Sequence, residues 1–361
     1  MAPETLLLGT RKGLFIYQKT GEGWVKHSQH FLGIPVSVAT RDPKTGLLWA
    51  SLDHGHWGHH LHVSPDLGAT WREIPVPTYP EDAEYKPGKP ATLEKIWSLL
   101  PSAHHSGRMY IGTAPGGLFY TDDEGASYHL FQALWDQPSR QTEWFAGGED
   151  SVGPVIHSVI EHPNNRDHLY VGISCAGVFE TQDGGATWLP KNKGLIANFM
   201  PDPHCEIGHD PHCLVMCQSS PNVLWQQNHC GIFHSNDGGA NWIHIVPTNS
   251  VAGFGFPICV DPNDPDTAWV VPAISDECRI AVDGALCASR TTDGGKTWVD
   301  YRNGLPQSDC FDIVFRQCLA QSGNDLAFGS TTGNVFVSDD RGENWSCLTN
   351  CLPPVYSIQF A

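Results

Sequence analysis

Six near-copies of one eight-residue phrase constrain this chain more than any other feature. They read SPDLGATW (Ser64–Trp71), TDDEGASY (Thr121–Tyr128), TQDGGATW (Thr181–Trp188), SNDGGANW (Ser235–Trp242), TTDGGKTW (Thr291–Trp298) and SDDRGENW (Ser338–Trp345). Their closing aromatics follow one another at intervals of 57, 60, 54, 56 and 47 residues. Recurrence at that period marks a repeat architecture, in which each unit buries its apolar face against the next. The Ser/Thr and Asp oxygens can close an Asx-type turn on nearby backbone N–H groups. The Gly two places after the Asp takes a positive φ without a Cβ penalty. The Trp or Tyr then leaves the turn and buries a large apolar surface between neighbouring units.

Each repeat reads as four short strands. One unit runs PVIHSVIE, the turn HPNNRD, HLYVGIS, GVFET, the phrase, and a last strand from Trp188. The same order begins with IPVSVAT and LLWASL, KIWSLLP and RMYIGT, PHCLVMCQ and VLWQQN, FPICV and TAWVVP, and FDIVFRQ and DLAFGS. Short strands at even spacing with turn signals argue an all-β chain. A seventh unit is split. The N-terminal LLLGTRKGLFIY and the worn phrase ending at Trp24 lack an inner strand, and the C-terminal VYSIQFA is an inner strand without partners. Joining them closes a ring and leaves no long open edge. The expectation is a seven-bladed β-propeller forming a single domain over residues 1–361. It overrides the two domains that a prior of ~150 residues per domain would give.

Composition narrows the partners. A net charge of −18 leaves no basic stripe for nucleic acid. No apolar run of about 18 residues is present, so no membrane span is expected. The segment MAPETLLLGTRKG lacks a secretory pattern, which points to the cytoplasm. The twelve cysteines show no zinc-ribbon spacing and read as buried, reduced thiols. Nothing in the sequence reports the oligomeric state.

The phrase resembles the Asp-box, or BNR repeat, of bacterial sialidases, sortilin-like domains, xyloglucanases and a photosystem assembly factor. The stretches GTRKGLF, DHGHWGHHLH, IWSL, EWFAGG, VIHSV, DPHC, QQNHCGIFHSNDGG and FGFPI resemble bacterial BNR/sialidase-like and WD/YVTN/BNR-like repeat proteins over nearly the full length. The resemblance implies a propeller with the Asp-box turns on its bottom rim, as structural staples. The sialidase label transfers poorly. Sialidases need an arginine triad, whereas GIPVS lacks the arginine of the corresponding motif and the chain holds eleven arginines in all.

Function is therefore expected on the opposite face, where loops joining second to third strands and crossings between blades meet a central funnel. Aligning inner strands on their following turns places Ser37, Trp97, His157, His212, Phe256, Asp312 and Tyr356 at equivalent positions. Alternation of side chains can aim such a set into the channel. His157 and His212 would come from adjacent blades, with His229 on a top loop of the second. Three converging histidines suit a divalent transition metal, Zn or Cu, with Fe or Mn as further options. Cys230 or Glu206 could add a ligand, and His54, His56 and His59 a ligand or substrate contact. Glu149, Asp150 or Asp210 would act as general base on metal-bound water, or orient a ligand histidine. Arg11, Lys12, Arg279 and Asp276 are charges available to fix an anionic or hydroxylated substrate. Trp57, Trp97 and Trp144 could stack on sugars or pack loops.

The first functional expectation is a metal-dependent hydrolase or lyase acting on a small polar substrate, a carbohydrate or carboxylate, with Arg11, His56, Trp57, Trp97, Arg279 and Asp312 as substrate contacts. The alternatives are a metal-free glycoside hydrolase, with carboxylate pairs drawn from Glu149, Asp150, Asp309 and Asp312, and a non-catalytic interaction scaffold.

Overall fold

The computed structural model describes residues 4–144 and 153–361. Seven four-stranded antiparallel sheets form the blades of a propeller. Blades 2 to 7 open on the strands Val36–Arg41, Lys95–Pro101, Ile156–Glu161, Pro211–Met216, Gly255–Asp261 and Leu319–Ser322. Blade 1 is the split one. Its strands Gly23–His30, Gly13–Thr20 and Thr5–Thr10 come from the N-terminal region, and Val355–Phe360 pairs with Thr5–Thr10, setting Leu8 opposite Ile358. The seven innermost strands contact one another in a closed cycle, with Val355–Phe360 touching Val36–Arg41. The only α-helix among the described residues is the four-residue Gln132–Trp135. Among the described residues no helix is long and apolar enough to cross a membrane.

The repeated phrase joins third and fourth strands. In blade 4, Thr181 Oγ1 donates to Asp183 Oδ1 (2.8 Å) and accepts the Gly185 N–H (2.9 Å). Asp183 in turn accepts the Thr187 N–H and hydroxyl at 2.9 and 2.6 Å. Gly184 and Gly185 both have positive φ, and in three blades the first of these places holds Leu67, Glu124 or Arg341. The closing aromatic reaches the preceding blade. Trp71 packs on Phe31 (4.8 Å), Trp188 on Phe131 (5.9 Å), and Trp298 on Trp225 (6.4 Å).

A second repeated device shapes the channel. The innermost strands carry register breaks between Val36 and Val38, Ile96 and Ser98, Ile156 and Ser158, Pro211 and Cys213, Gly255 and Ile258, and across the Gly9–Thr10 pairing. The residues thrown out are Ser37, Trp97, His157, His212, Phe256 with Pro257, and Tyr356. A β-bulge leaves one residue unpaired and re-aims its side chain. Opposite one bulge stands Gly112, where a Cβ would lie 2.3 Å from the Ile156 carbonyl of the next blade. Neighbouring blades can approach this closely only because that position is glycine.

Asp312 does not join this set. The chain turns at Phe315–Cys318, where the Cys318 N–H bonds to the Phe315 carbonyl at 3.0 Å, and the seventh blade's inner strand starts only at Leu319. The alternation in FDIVFRQ imitates a strand. The Gly329 N–H bonds to Cys318, which matches the Ser98–Gly112 and Ser158–Gly172 pairs, so Gln317 occupies the bulge position. Asp312 instead accepts bonds from Ser330, Thr332 and Asn334 and fastens a loop.

All twelve cysteines are free. Cys217, Cys287, Cys310 and Cys318 are buried, whereas Cys278, Cys347 and Cys351 are exposed, so only part of the set acts as small core hydrophobes.

Candidate functional site

The bulges and the top loops enclose a funnel of about 270 Å³ on the channel axis, lined by Ser37, Lys95, Trp97, Arg279, Phe315, Arg316, Gln317 and Tyr356. Gln317 crosses its floor, donating from Nε2 to the carbonyls of Trp97 and His157 on the far side of the ring. The funnel is therefore a blind pocket. At about 30 Å³ per water it holds roughly nine waters, the bulk of one sugar ring and its substituents.

Three cations reach this small space. Lys95 Nζ stands 4.0 Å from the Trp97 ring centroid and 5.5 Å from that of Tyr356. The guanidiniums of Arg279 and Arg316 lie 5.4 and 5.3 Å from the Phe256 ring. Arg279 is anchored by its Nε–H to the Asp276 carbonyl (2.9 Å). Arg316 Nε is buried without a hydrogen-bond partner among the described residues. Burial pushes the Lys95 pKa down, with Asp53 opposing and Arg316 adding to the effect, and burial likewise lowers that of Arg316 against the pull of Asp210. Concentrated, poorly compensated positive charge in a chain of net charge −18 favours an anionic ligand.

A carboxylate–imidazole cluster stands beside it. Asp210 ends the crossing into blade 5, His212 is that blade's bulge residue, and His229 sits in the turn between Leu224–Asn228 and Gly231–Ser235. Asp210 Oδ2 is 3.5 Å from His212 Nε2 and 3.7 Å from His229 Nδ1. Asp210 Oδ1 accepts the Cys175 N–H (3.2 Å). His212 Nδ1 lies 2.6 Å from the Gly255 carbonyl. A carbonyl only accepts, so Nδ1 carries the proton and Nε2 presents its lone pair to the cluster. His229 Nε2 lies 3.5 Å from Asp276 Oδ2. Phe256 stacks on His212 at 4.6 Å, and Phe199 and Phe254 meet His229 edge-on. Burial works against the Asp210 carboxylate, but His212, Arg316 and His157 outweigh it and hold its pKa down to about 2. Burial, partly offset by Asp210, lowers that of His212. At neutral pH the Asp210 carboxylate thus faces a neutral His212 imidazole.

The other expected residues fall in different places. His157 does not join His212 and His229. It is buried, with Nδ1 on Ser158 Oγ at 2.9 Å and Nε2 unpartnered. Its ring turns back toward Gly172 of its own blade. Burial, then the Arg316 charge, lowers its pKa to about 3. Cys230 donates to Asn198 (3.1 Å), and neither it nor Glu206 belongs to the cluster among the described residues. Trp97 lines the funnel, but its ring carries Lys95 rather than an open stacking face. Trp144 packs on Phe179 and bonds to Ser139, holding a loop. His56 and Trp57 lie on an exposed 3-10 turn, Trp57 at 74 % exposure. Arg11 is exposed, near enough to Tyr356 to lower that phenol's pKa against the effect of burial. His59 is half-buried near Asp53 and Lys95. Glu149 and Asp150 lie outside the described residues. Sequence reasoning passed over Lys95, Arg316 and Gln317. Their signal was the bulge register, carried into blade 7 from the glycine at 329 rather than from hydrophobic alternation.

Comparison with known proteins adds the following. No protein-family model matches the chain. It is 24 % identical over 206 residues to the oligoxyloglucan-reducing end-specific xyloglucanase of Emericella nidulans. That match takes in 55 % of this chain but only 24 % of the curated relative, so the chain spans about a quarter of that protein's length. Among solved structures, the GH74 enzyme of Niastella koreensis superposes with a TM-score of 0.53 at 13 % identity, over 97 % of this chain and 67 % of that one. The structure of YCF48 bound to D1 peptide gives 0.51 at 14 % identity, over 95 % and 88 %. At these identities the structural likeness establishes the fold alone.

Proposed function

We propose that the chain is a glycoside hydrolase that takes the acidic end residue of a saccharide into the central funnel. The observation that carries this reading is the set of Lys95, Arg279 and Arg316 around a blind pocket of about 270 Å³. The xyloglucanase match supports a carbohydrate substrate. A neutral sugar would add no counter-charge to the Arg316 guanidinium, whereas a carboxylate in the funnel would pair with its terminal N–H groups. The floor closed by Gln317 suits a chain end better than a polymer threading through.

Chemically, hydrolysis needs a proton for the departing glycosidic oxygen, which solvent can supply, and a carboxylate acting either as base on the attacking water or as nucleophile at the anomeric carbon. Asp210 stays ionised across the physiological range and can serve in either capacity. Its geometry is fixed by the Cys175 N–H. Arg279 and Arg316 clamp the substrate carboxylate, and Phe256 packs against both guanidiniums and stacks on His212.

The test is a panel of aryl glycosides of neutral and uronic sugars together with xyloglucan oligosaccharides. Terminal uronides should be cleaved, with activity falling as salt rises. Cleavage of neutral substrates alone, undiminished in Arg316→Met, would overturn the acidic-substrate reading. Inertness of the folded protein toward the whole panel would overturn the hydrolase reading.

A further inference from the structure

We infer that Asp210, His212 and His229 form a site for one divalent transition-metal ion, zinc in the first instance, beside the funnel. The ligand atoms all lie within 4.8 Å of one another. The separations of 3.5 and 3.7 Å from Asp210 Oδ2 to the two imidazole nitrogens are too long for hydrogen bonds. They are near the spacing of about 3.4 Å that tetrahedral ligands take around zinc at bonds of 2.0–2.1 Å. Three groups that face one another without bonding leave a gap of the size an ion fills.

The outer contacts support the same assignment. Two ligands use their remaining polar atom on a partner that orients them from behind, His212 Nδ1 on the Gly255 carbonyl and Asp210 Oδ1 on the Cys175 N–H, and the Asp276 carboxylate stands 3.5 Å behind His229 Nε2. A carboxylate or carbonyl behind each ligand imidazole is the usual support of a metal-binding histidine. One carboxylate and two imidazoles suit zinc and its neighbours better than magnesium or calcium. Phe199, Phe254 and Phe256 surround the two histidines with apolar edges. Three protein ligands leave a position for water, as catalytic rather than structural zinc sites do. The role of that water rests on the hydrolase reading: held by the ion, it would lose a proton to solvent near neutral pH and attack the anomeric carbon as the bond to the leaving oxygen breaks, that oxygen taking a proton from solvent. The existence of the site does not rest on that reading.

Cobalt(II) titrated into metal-stripped protein tests the site without any substrate. One equivalent should bind with the visible absorption of a four- or five-coordinate ion, and zinc should displace it. His229→Ala, on a half-buried turn, should weaken cobalt binding more than 100-fold, and Asp276→Asn should weaken it 10- to 100-fold. Near-ultraviolet circular dichroism should show both variants folded. Absence of saturable binding, or equal binding by His229→Ala, would overturn the site. Undiminished uronide cleavage by metal-stripped protein in chelator would overturn the role given to the metal-bound water and leave the site standing. Metal binding without cleavage of any glycoside would leave the site standing and overturn the hydrolase reading alone.

Discussion

Replacing Arg316 by Met should weaken ligand binding while making the protein more stable. In the free protein the guanidinium is desolvated in the funnel with Nε unpartnered. An unsatisfied buried donor costs ~1–3 kcal/mol. Against this stands attraction to Asp210, with no close ion pair between them, worth about 1 kcal/mol or less at a partly solvated site. The net gain on substitution is about 1 kcal/mol. Unfolding entropy near 2.1 cal/mol/K per residue amounts to roughly 0.8 kcal/mol/K over a chain of this length. The expected rise in Tm is therefore about 1–2 °C, readable by differential scanning calorimetry. Loss of a charge-assisted bond worth ~1.5–3 kcal/mol should raise the Kd for glucuronate about 10- to 150-fold by isothermal titration. The affinity for glucose should not change. A Tm lowered by several degrees with glucuronate binding intact would refute the reasoning and make Arg316 a structural counter-ion of Asp210.

Three further outcomes follow from the fold. Gly112→Ala forces a Cβ against the Ile156 carbonyl and should destabilise the protein by about 1–3 kcal/mol, measured by urea unfolding. Thr181→Val strands the Gly185 N–H in one repeated turn and should cost about 1–3 kcal/mol in the same assay. His157 is held neutral to about pH 3, so between roughly pH 6.5 and 3 the unfolded chain binds the proton and the native state does not. Stability should fall through that window as pH drops, with about one proton taken up on unfolding, and His157→Leu should remove that share of the slope.

The blades, their number and the closing strand were legible because they depend on local chemistry repeated many times. Strand alternation recurs in every unit, the Asx turns and paired left-handed residues recur in six of them, and the lone C-terminal strand had one place to go. Six bulge positions were legible for the same reason, since each precedes a common turn. The seventh was not. A single turn at Phe315–Cys318 moves Gln317 into the place that alternation assigns to Asp312. His157 shares the bulge of His212, yet its χ angles turn it into the blade, a choice made by tertiary packing around Gly172. Convergence of Lys95, Arg279 and Arg316 from blades 3, 6 and 7 depends on ring geometry that no local spacing encodes.

The most direct measurement is a crystal structure of the protein soaked with a uronic-acid oligosaccharide. The terminal carboxylate should lie within hydrogen-bond distance of Arg316 and Arg279, with the glycosidic bond facing Asp210. A ligand held on the outer rim of the blades, leaving the funnel to water, would contradict the acidic-substrate reading.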